Sequence, residues 1–216
     1  MLFTVIGCVG LAILNQKAHM FTIYYVLIGI AAFFIAALVL GAWLRGHRTK
    51  ENAERSSRVM HFLFFAGLVA PPLIAIFYPG LTRFDSFLGL PSLPFKPFFL
   101  TLGILLAISG LYFLVVTNKL LRSLGSGTSA FILTKKIVND DIYKRTRNPM
   151  SLGFYLSSLA LAFASSSTFV LLAASLGLIP AHVFFLKTFE EVELELRYGE
   201  SYLDYKKNVP FLIPKL

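Results

Sequence analysis

Apolar residues in this chain are gathered into blocks. Phe21 to Leu44, Val59 to Tyr78 and Phe98 to Thr117 hold almost no Asp, Glu, Lys or Arg. Each reaches the roughly 20 residues that a helix needs to cross a hydrocarbon layer about 30 Å thick. Two later blocks, Met150 to Ala164 and Thr168 to Leu186, are separated only by Ser165, Ser166 and Ser167, a spacing that predicts a tight helical hairpin with a short first arm. Met1 to Leu14 is shorter still. No basic residue precedes it and no small-residue cleavage site follows, so it reads as a retained half-length or tilted helix rather than a signal-peptide core. The expected fold is all-α: a polytopic integral membrane bundle of five or six transmembrane helices with a cytosolic, helical carboxy-terminal tail.

Composition agrees, because 56% of the 216 residues are hydrophobic and only 14% charged, and the long uncharged blocks exclude a single soluble core. Placing the connections alternately on the two sides of a bilayer puts 17 of the 20 Lys and Arg on one side, leaving Lys17, Arg83 and Lys96 opposite. Short cytoplasmic loops collect basic residues, so the rich side is expected to be the cytoplasm. The net charge of +9 is then a matter of topology and attraction to anionic lipid rather than nucleic-acid binding. The single cysteine, Cys8, excludes an internal disulfide. His19, His47 and His61 share no metal-ligand spacing with one another or with Cys8, and no metal site is expected.

Residues 1 to 117 carry spans and short connections without clustered reactive side chains and read as scaffold. Within them Pro71-Pro72 is expected to kink its span, and Pro91, Pro94 and Pro97 mark Phe84 to Pro97 as an extended outer loop. From Asn118 to the end the character changes. A polar, basic segment of about 30 residues precedes the hairpin, and loops of that length are more often functional than idle. It holds a glycine turn, Gly125-Ser126-Gly127-Thr128, whose spacing fits neither a dinucleotide fingerprint nor a P-loop. Past the hairpin, Glu190, Glu191, Glu193, Glu195 and Arg197 continue the last span as a charged helix. Glu193 and Arg197 are spaced to pair on a solvated face, whereas Glu191 and Glu195 repel unless a cation or water screens them. Gly199 is expected to end that helix, and Tyr202 and Tyr205 fall on a second short one as packing or interfacial residues. His182, inside the last span, is either a packing histidine or a functional group.

Tyr143, Arg147-Asn148-Pro149-Met150 and Gly153, followed by Glu190-Glu191, Leu194, Tyr198-Gly199, Tyr202, Tyr205 and Val209-Pro210, resemble the carboxy-terminal signature of the isoprenylcysteine carboxyl methyltransferases. Related phospholipid N-methyltransferases share it. The resemblance covers about the last 100 residues and implies a membrane methyltransferase that uses S-adenosylmethionine in a cytosol-facing pocket. It places Gly125, Val138, Tyr143, Arg147, Asn148, Pro149, Met150, Glu190 and Glu191 along the cofactor, with Glu190, Glu191 and Arg147 as the catalytic candidates. There are departures. His is commoner in the family where this chain has Asn148, and Tyr where it has Ser151. The carboxyl methyltransferases carry an Arg where this chain has Leu186, beside Lys187.

The residue types suit that chemistry by themselves. A sulfonium and an ammonium near a bilayer need fixed acidic partners, which Glu190 and Glu191 supply. A carboxylate needs donors such as Arg147, Lys144 or the amides near Pro149. The acceptor is expected to be lipidic or membrane-dissolved. A carboxylate acceptor needs no base, whereas an amine must lose a proton, for which Glu190 or Glu191 is placed. Two other readings stay open: an NADPH-dependent reductase of the sterol-reductase type, and a catalytically silent module binding lipid or a partner. Oligomeric state is not encoded in these patterns.

Overall fold

In the computed structural model, residues 2–77, 80–81, 83–124 and 137–215 are described, with side chains from residue 20 onward; they are predominantly helical and form no strand. α1 runs without interruption over Leu2–Gly46. The expected separate helix over Met1 to Leu14 is therefore corrected, because Asn15 to His19 contain neither Gly nor Pro and polarity alone does not stop a helix. Its bilayer-length apolar part is Met20–Gly46.

α2 (Lys50–Phe77) begins before the apolar block because Thr49 caps it, its side chain accepting from the Asn52 N–H at 3.2 Å. Pro71 and Pro72 remove two N–H donors from this helix. Immediately ahead of them the backbone widens into a π-type turn over Phe65–Val69, where the Ala70 N–H reaches back to the Phe65 carbonyl. The expected outer loop is partly wrong: Arg83–Leu88 is a short helix, α3. Asp85 on it is buried, and its carboxylate accepts from the backbone N–H groups of Thr168 (2.9 Å) and Phe169 (2.7 Å). This loop is thus pinned to the start of the last span.

α4 (Lys96–Leu124) lies along α5 (Pro149–Ser165), which is shorter than the others. A left-handed Ser166 (φ 52°) and Ser167, whose hydroxyl accepts from the Val170 N–H, make the hairpin turn that the three serines predict. α6 (Thr168–Tyr198) follows, with π-type turns at Ala173–Leu178 and Leu186–Glu190. Gly199, at φ 56°, turns the chain into α7 (Glu200–Asn208). α1, α2, α4 and α6 are long and apolar enough to cross a membrane.

α1 packs against α2 and α6 around Phe33, Leu44, Met60, Leu68, Phe185 and Phe189. Two approaches are too close for side chains. A Cβ on Gly29 would run into the Gly67 carbonyl oxygen, and one on Gly41 would lie 2.8 Å from that of Thr188. Such backbone proximity lets helices gain dispersion energy where lipid supplies no hydrophobic drive. Ile104, Leu105, Ile108 and Leu111 of α4 stay exposed, the expected state of a face that meets acyl chains.

Candidate functional site

Three chain segments meet where α5 begins and α6 ends. The first is the short 3-10 turn Asp141–Lys144 with Arg145 to Asn148 behind it. Pro149 takes the first helical position of α5, where its missing N–H costs nothing. The second is the π-type turn Leu186–Glu190 and the helix beyond it. The third is the tail after α7, which runs back as a strap. Arg147 N–H donates to Pro210 O at 2.9 Å, Thr146 Oγ1 to Leu212 O at 2.9 Å, and Lys215 N–H to Arg145 O at 2.9 Å. Asn148 does not cap α5; its amide donates to Phe211 O at 2.9 Å.

On this frame the Arg147 guanidinium donates to Glu191 Oε1 at 3.0 Å, contacts the Tyr202 hydroxyl at 3.4 Å and lies over the Phe211 ring. Glu191 is also held by Lys206, whose Nζ is 2.6 Å from Oε2 and 3.0 Å from Glu195 Oε1. The repulsion expected between Glu191 and Glu195 is thereby met by a cation from α7. Burial works to lower the Lys206 ammonium, but hydrogen bonds and attraction from Glu191 and Glu195 outweigh it and raise the group above its ordinary value.

Two groups remain unmet. The Nε of Arg147 is buried with no acceptor among the described residues. Glu190 has no hydrogen bond or ion pair among them, yet its carboxylate is within electrostatic reach of the Tyr143, Tyr155 and Tyr202 hydroxyls. Burial, with Tyr205 and Glu190 adding to it, pushes the Tyr143 phenol well above its usual range, so it stays a neutral donor. Tyr205 in turn donates to the Tyr143 carbonyl at 2.8 Å.

Of the residues read from sequence, Tyr143, Arg147, Asn148, Glu190 and Glu191 converge here. Pro149 and Val138 are buried and Met150 half-buried, each without a polar side-chain role. Gly125 lies outside the described residues. The solvated Glu193–Arg197 pair is corrected: both side chains are buried, 2.6 Å apart, where the end of α6 packs on α2. Spacing had placed them on one helix face without saying which face α2 covers. Lys206 and the Phe211 strap were missed, since both depend on how the chain turns at Gly199. Tyr202, Tyr205 and Lys206, at helical spacing after a helix-ending glycine, were the available hint.

Residues 98–201 match the family pattern described as phospholipid methyltransferase. This stretch of the chain is similar to the phospholipid methyltransferase family. Among curated proteins, Methanethiol S-methyltransferase 2 of Bradyrhizobium diazoefficiens is 32% identical over 75 residues, which is 35% of this chain and 27% of that protein. The chain thus matches about a quarter of that relative's length. No solved structure matches.

Proposed function

We propose that this membrane protein transfers a methyl group from S-adenosylmethionine to an acceptor dissolved in the bilayer, at the cytoplasmic boundary. The observation that carries this reading is the unmet pair of Arg147 Nε and Glu190 carboxylate beside the Arg147–Glu191–Lys206 network. A ligand bearing both an anionic and a cationic group answers both. When bound, the cofactor supplies an electrophilic methyl on a sulfonium. Arg147 would take its carboxylate, Glu190 its positive charge, and the neutral Tyr143 hydroxyl would donate beside them. Glu191, already held by two cations, would fix Arg147. Residues 118 to 216 then form the methyl-transfer region on a scaffold of residues 1 to 117. The basic residues, 17 of 20 on one side, support a site facing the cytoplasm.

The acceptor reading is sharpened at Leu186. The carboxyl methyltransferases have a cation there, but this leucine is 2% exposed within the core, and Lys187 turns out over the Phe211 ring at 5.0 Å. A prenylcysteine-like carboxylate therefore fits less well than a lipid amine or a thiol. The curated relative's name, a methanethiol S-methyltransferase, supports sulfur. Both acceptors must lose a proton, and Glu190 is placed to take it.

Purified protein in detergent is expected to bind S-adenosylhomocysteine in calorimetry and to be thermally stabilised by it but not by NADPH. Stabilisation by NADPH alone would overturn the reading in favour of a reductase.

A further inference from the structure

Two features of the interior are left unused. The first is a hydrogen bond between the Tyr155 hydroxyl of α5 and Nδ1 of His182 on α6, 2.8 Å long and buried. Rings of Phe33, Phe64, Phe154 and Phe185 surround the imidazole within 6.0 Å, centroid to centroid. Among the described residues its Nε2 has no hydrogen-bond partner. A polar pair at membrane depth is costly to keep and marks a functional candidate. The second is a half-open cavity of 250 Å³ with an almost wholly apolar lining, including Ile30, Leu68, Phe154, Phe169, Ala174 and Leu178.

Both features lie on one line with the charged site. Along α6, Leu178 lines the cavity, His182 is about one turn further on and Glu190 about two turns beyond that. Helical side chains lean toward the amino terminus, so Glu190 leans back toward His182; its carboxylate is in electrostatic reach of Tyr155. Phe154 is the shared wall, lining the cavity while its ring meets that of His182 at 5.8 Å.

We propose that the Tyr155–His182 pair and the cavity behind Phe154 form the acceptor subsite, and that it takes a long-chain thiol. The inference rests on the methyl-transfer reading for the fate of the thiol, but not for its binding. Apart from the Ser157 and Ser158 hydroxyls the cavity wall is hydrocarbon, with nothing to match a charge, so the body of the ligand is apolar. The head meets a hydroxyl and an imidazole, so it is small, uncharged and protic. Among such heads a thiol gives up its proton far more readily than an alcohol, and its sulfur is the better nucleophile. With Nδ1 donating to Tyr155, Nε2 accepts a hydrogen bond from the S–H and orients it, and the proton passes to Glu190. The acceptor sulfur then forms a bond to the methyl carbon of the sulfonium donor as the donor's C–S bond breaks, and that electron pair stays on the donor sulfur, leaving a neutral thioether. The methylated product is a neutral thioether too, and the proton leaves from Glu190.

The test uses full-length protein in nanodiscs of zwitterionic lipid, with radiolabelled 1-decanethiol in equilibrium dialysis and S-adenosylhomocysteine in calorimetry. Saturable decanethiol binding is expected without cofactor. It should weaken at least tenfold in His182→Phe and in Ala174→Phe, while S-adenosylhomocysteine affinity stays within twofold. Ser158→Met on the facing wall serves where Ala174→Phe does not fold. In turnover, Ala174→Phe should lose decanethiol but keep ethanethiol, and Tyr155→Phe should lower kcat and shift its pH profile for both. Non-saturable decanethiol uptake, or equal binding by wild type and the cavity variants, overturns the proposal. If wild type binds decanethiol but not S-adenosylhomocysteine, the thiol site stands and methyl transfer falls.

Discussion

The Lys206 ammonium lies 2.6 Å from the Glu191 carboxylate and ties α7 to the end of α6. Because its neighbours raise it above its ordinary value of 10.5, the linkage has a definite sign. The protonated form is favoured by folding, so the stabilisation is complete below about pH 10.5 and is lost as pH climbs through the higher folded value. Thermal denaturation between pH 9 and 12 should show wild type losing stability over that window. Lys206→Met, lower at pH 9 because Glu191 and Glu195 are left to repel, should fall less steeply. Parallel curves would show that the bridge contributes nothing.

Glu190 and Glu191 are neighbours in sequence with different duties, and neutralising each should separate them. Glu191→Gln removes the charge that two cations share, sets an NH₂ against one of them, and is expected to destabilise the protein by about 1–3 kcal/mol. Glu190→Gln breaks no hydrogen bond or ion pair among the described residues and should leave stability within about 0.5 kcal/mol. It should nevertheless weaken S-adenosylhomocysteine binding about tenfold, or about 1.4 kcal/mol. Urea or thermal unfolding read beside calorimetry checks both. Equal affinity in wild type and Glu190→Gln would remove Glu190 from the proposed cofactor site.

How much of this was legible in the residue order depended on the range of the interaction. The spans were readable because a bilayer selects for composition over roughly 20 residues, and the hairpin because three serines break it. The end of the Met1 to Leu14 block was misread because hydropathy falls at Asn15 while backbone propensity does not. Arg147 and Glu191 were found through motif spacing, although 44 residues apart. Lys206 was not, because nothing before Gly199 says that α7 folds back along α6. Asn148 was read from the motif as a cofactor contact, and its amide is used by the tail at Phe211. The burial of Glu193 and Arg197 depended on α2, a helix more than 100 residues earlier whose first turns lie outside the apolar block.

Asp85 caps a helix that is remote in sequence, with one oxygen for each of the Thr168 and Phe169 N–H groups. Asp85→Ala is expected to cost about 1–3 kcal/mol, as loss of a buried double cap should. Asp85→Asn should recover part of that, because its amide keeps one acceptor but sets an NH₂ against the second donor. The clamp is at the far end of α6 from Glu190, so S-adenosylhomocysteine affinity measured below the melting transition should be unchanged in both. A matching loss of affinity would show that the Asp85 clamp also sets the Glu190 end of α6.

Gly41 offers a way to perturb the site through packing alone. Its Cα faces the Thr188 carbonyl, in the π-type turn that carries Glu190, and Arg45 Nη1 donates to the same carbonyl at 3.1 Å. A methyl at Gly41 would meet that oxygen at 2.8 Å, closer than van der Waals contact allows, and backbone on both sides cannot yield cheaply. Gly41→Ala should therefore move the turn, destabilising the fold by about 1–3 kcal/mol and weakening S-adenosylhomocysteine binding several-fold, though residue 41 touches no ligand. Gly46→Ala, where an added Cβ meets nothing within 4 Å, is the control and should change neither. If Gly41→Ala lowers the melting temperature yet binds with wild-type affinity, α1 supports the helix but does not set the position of Glu190.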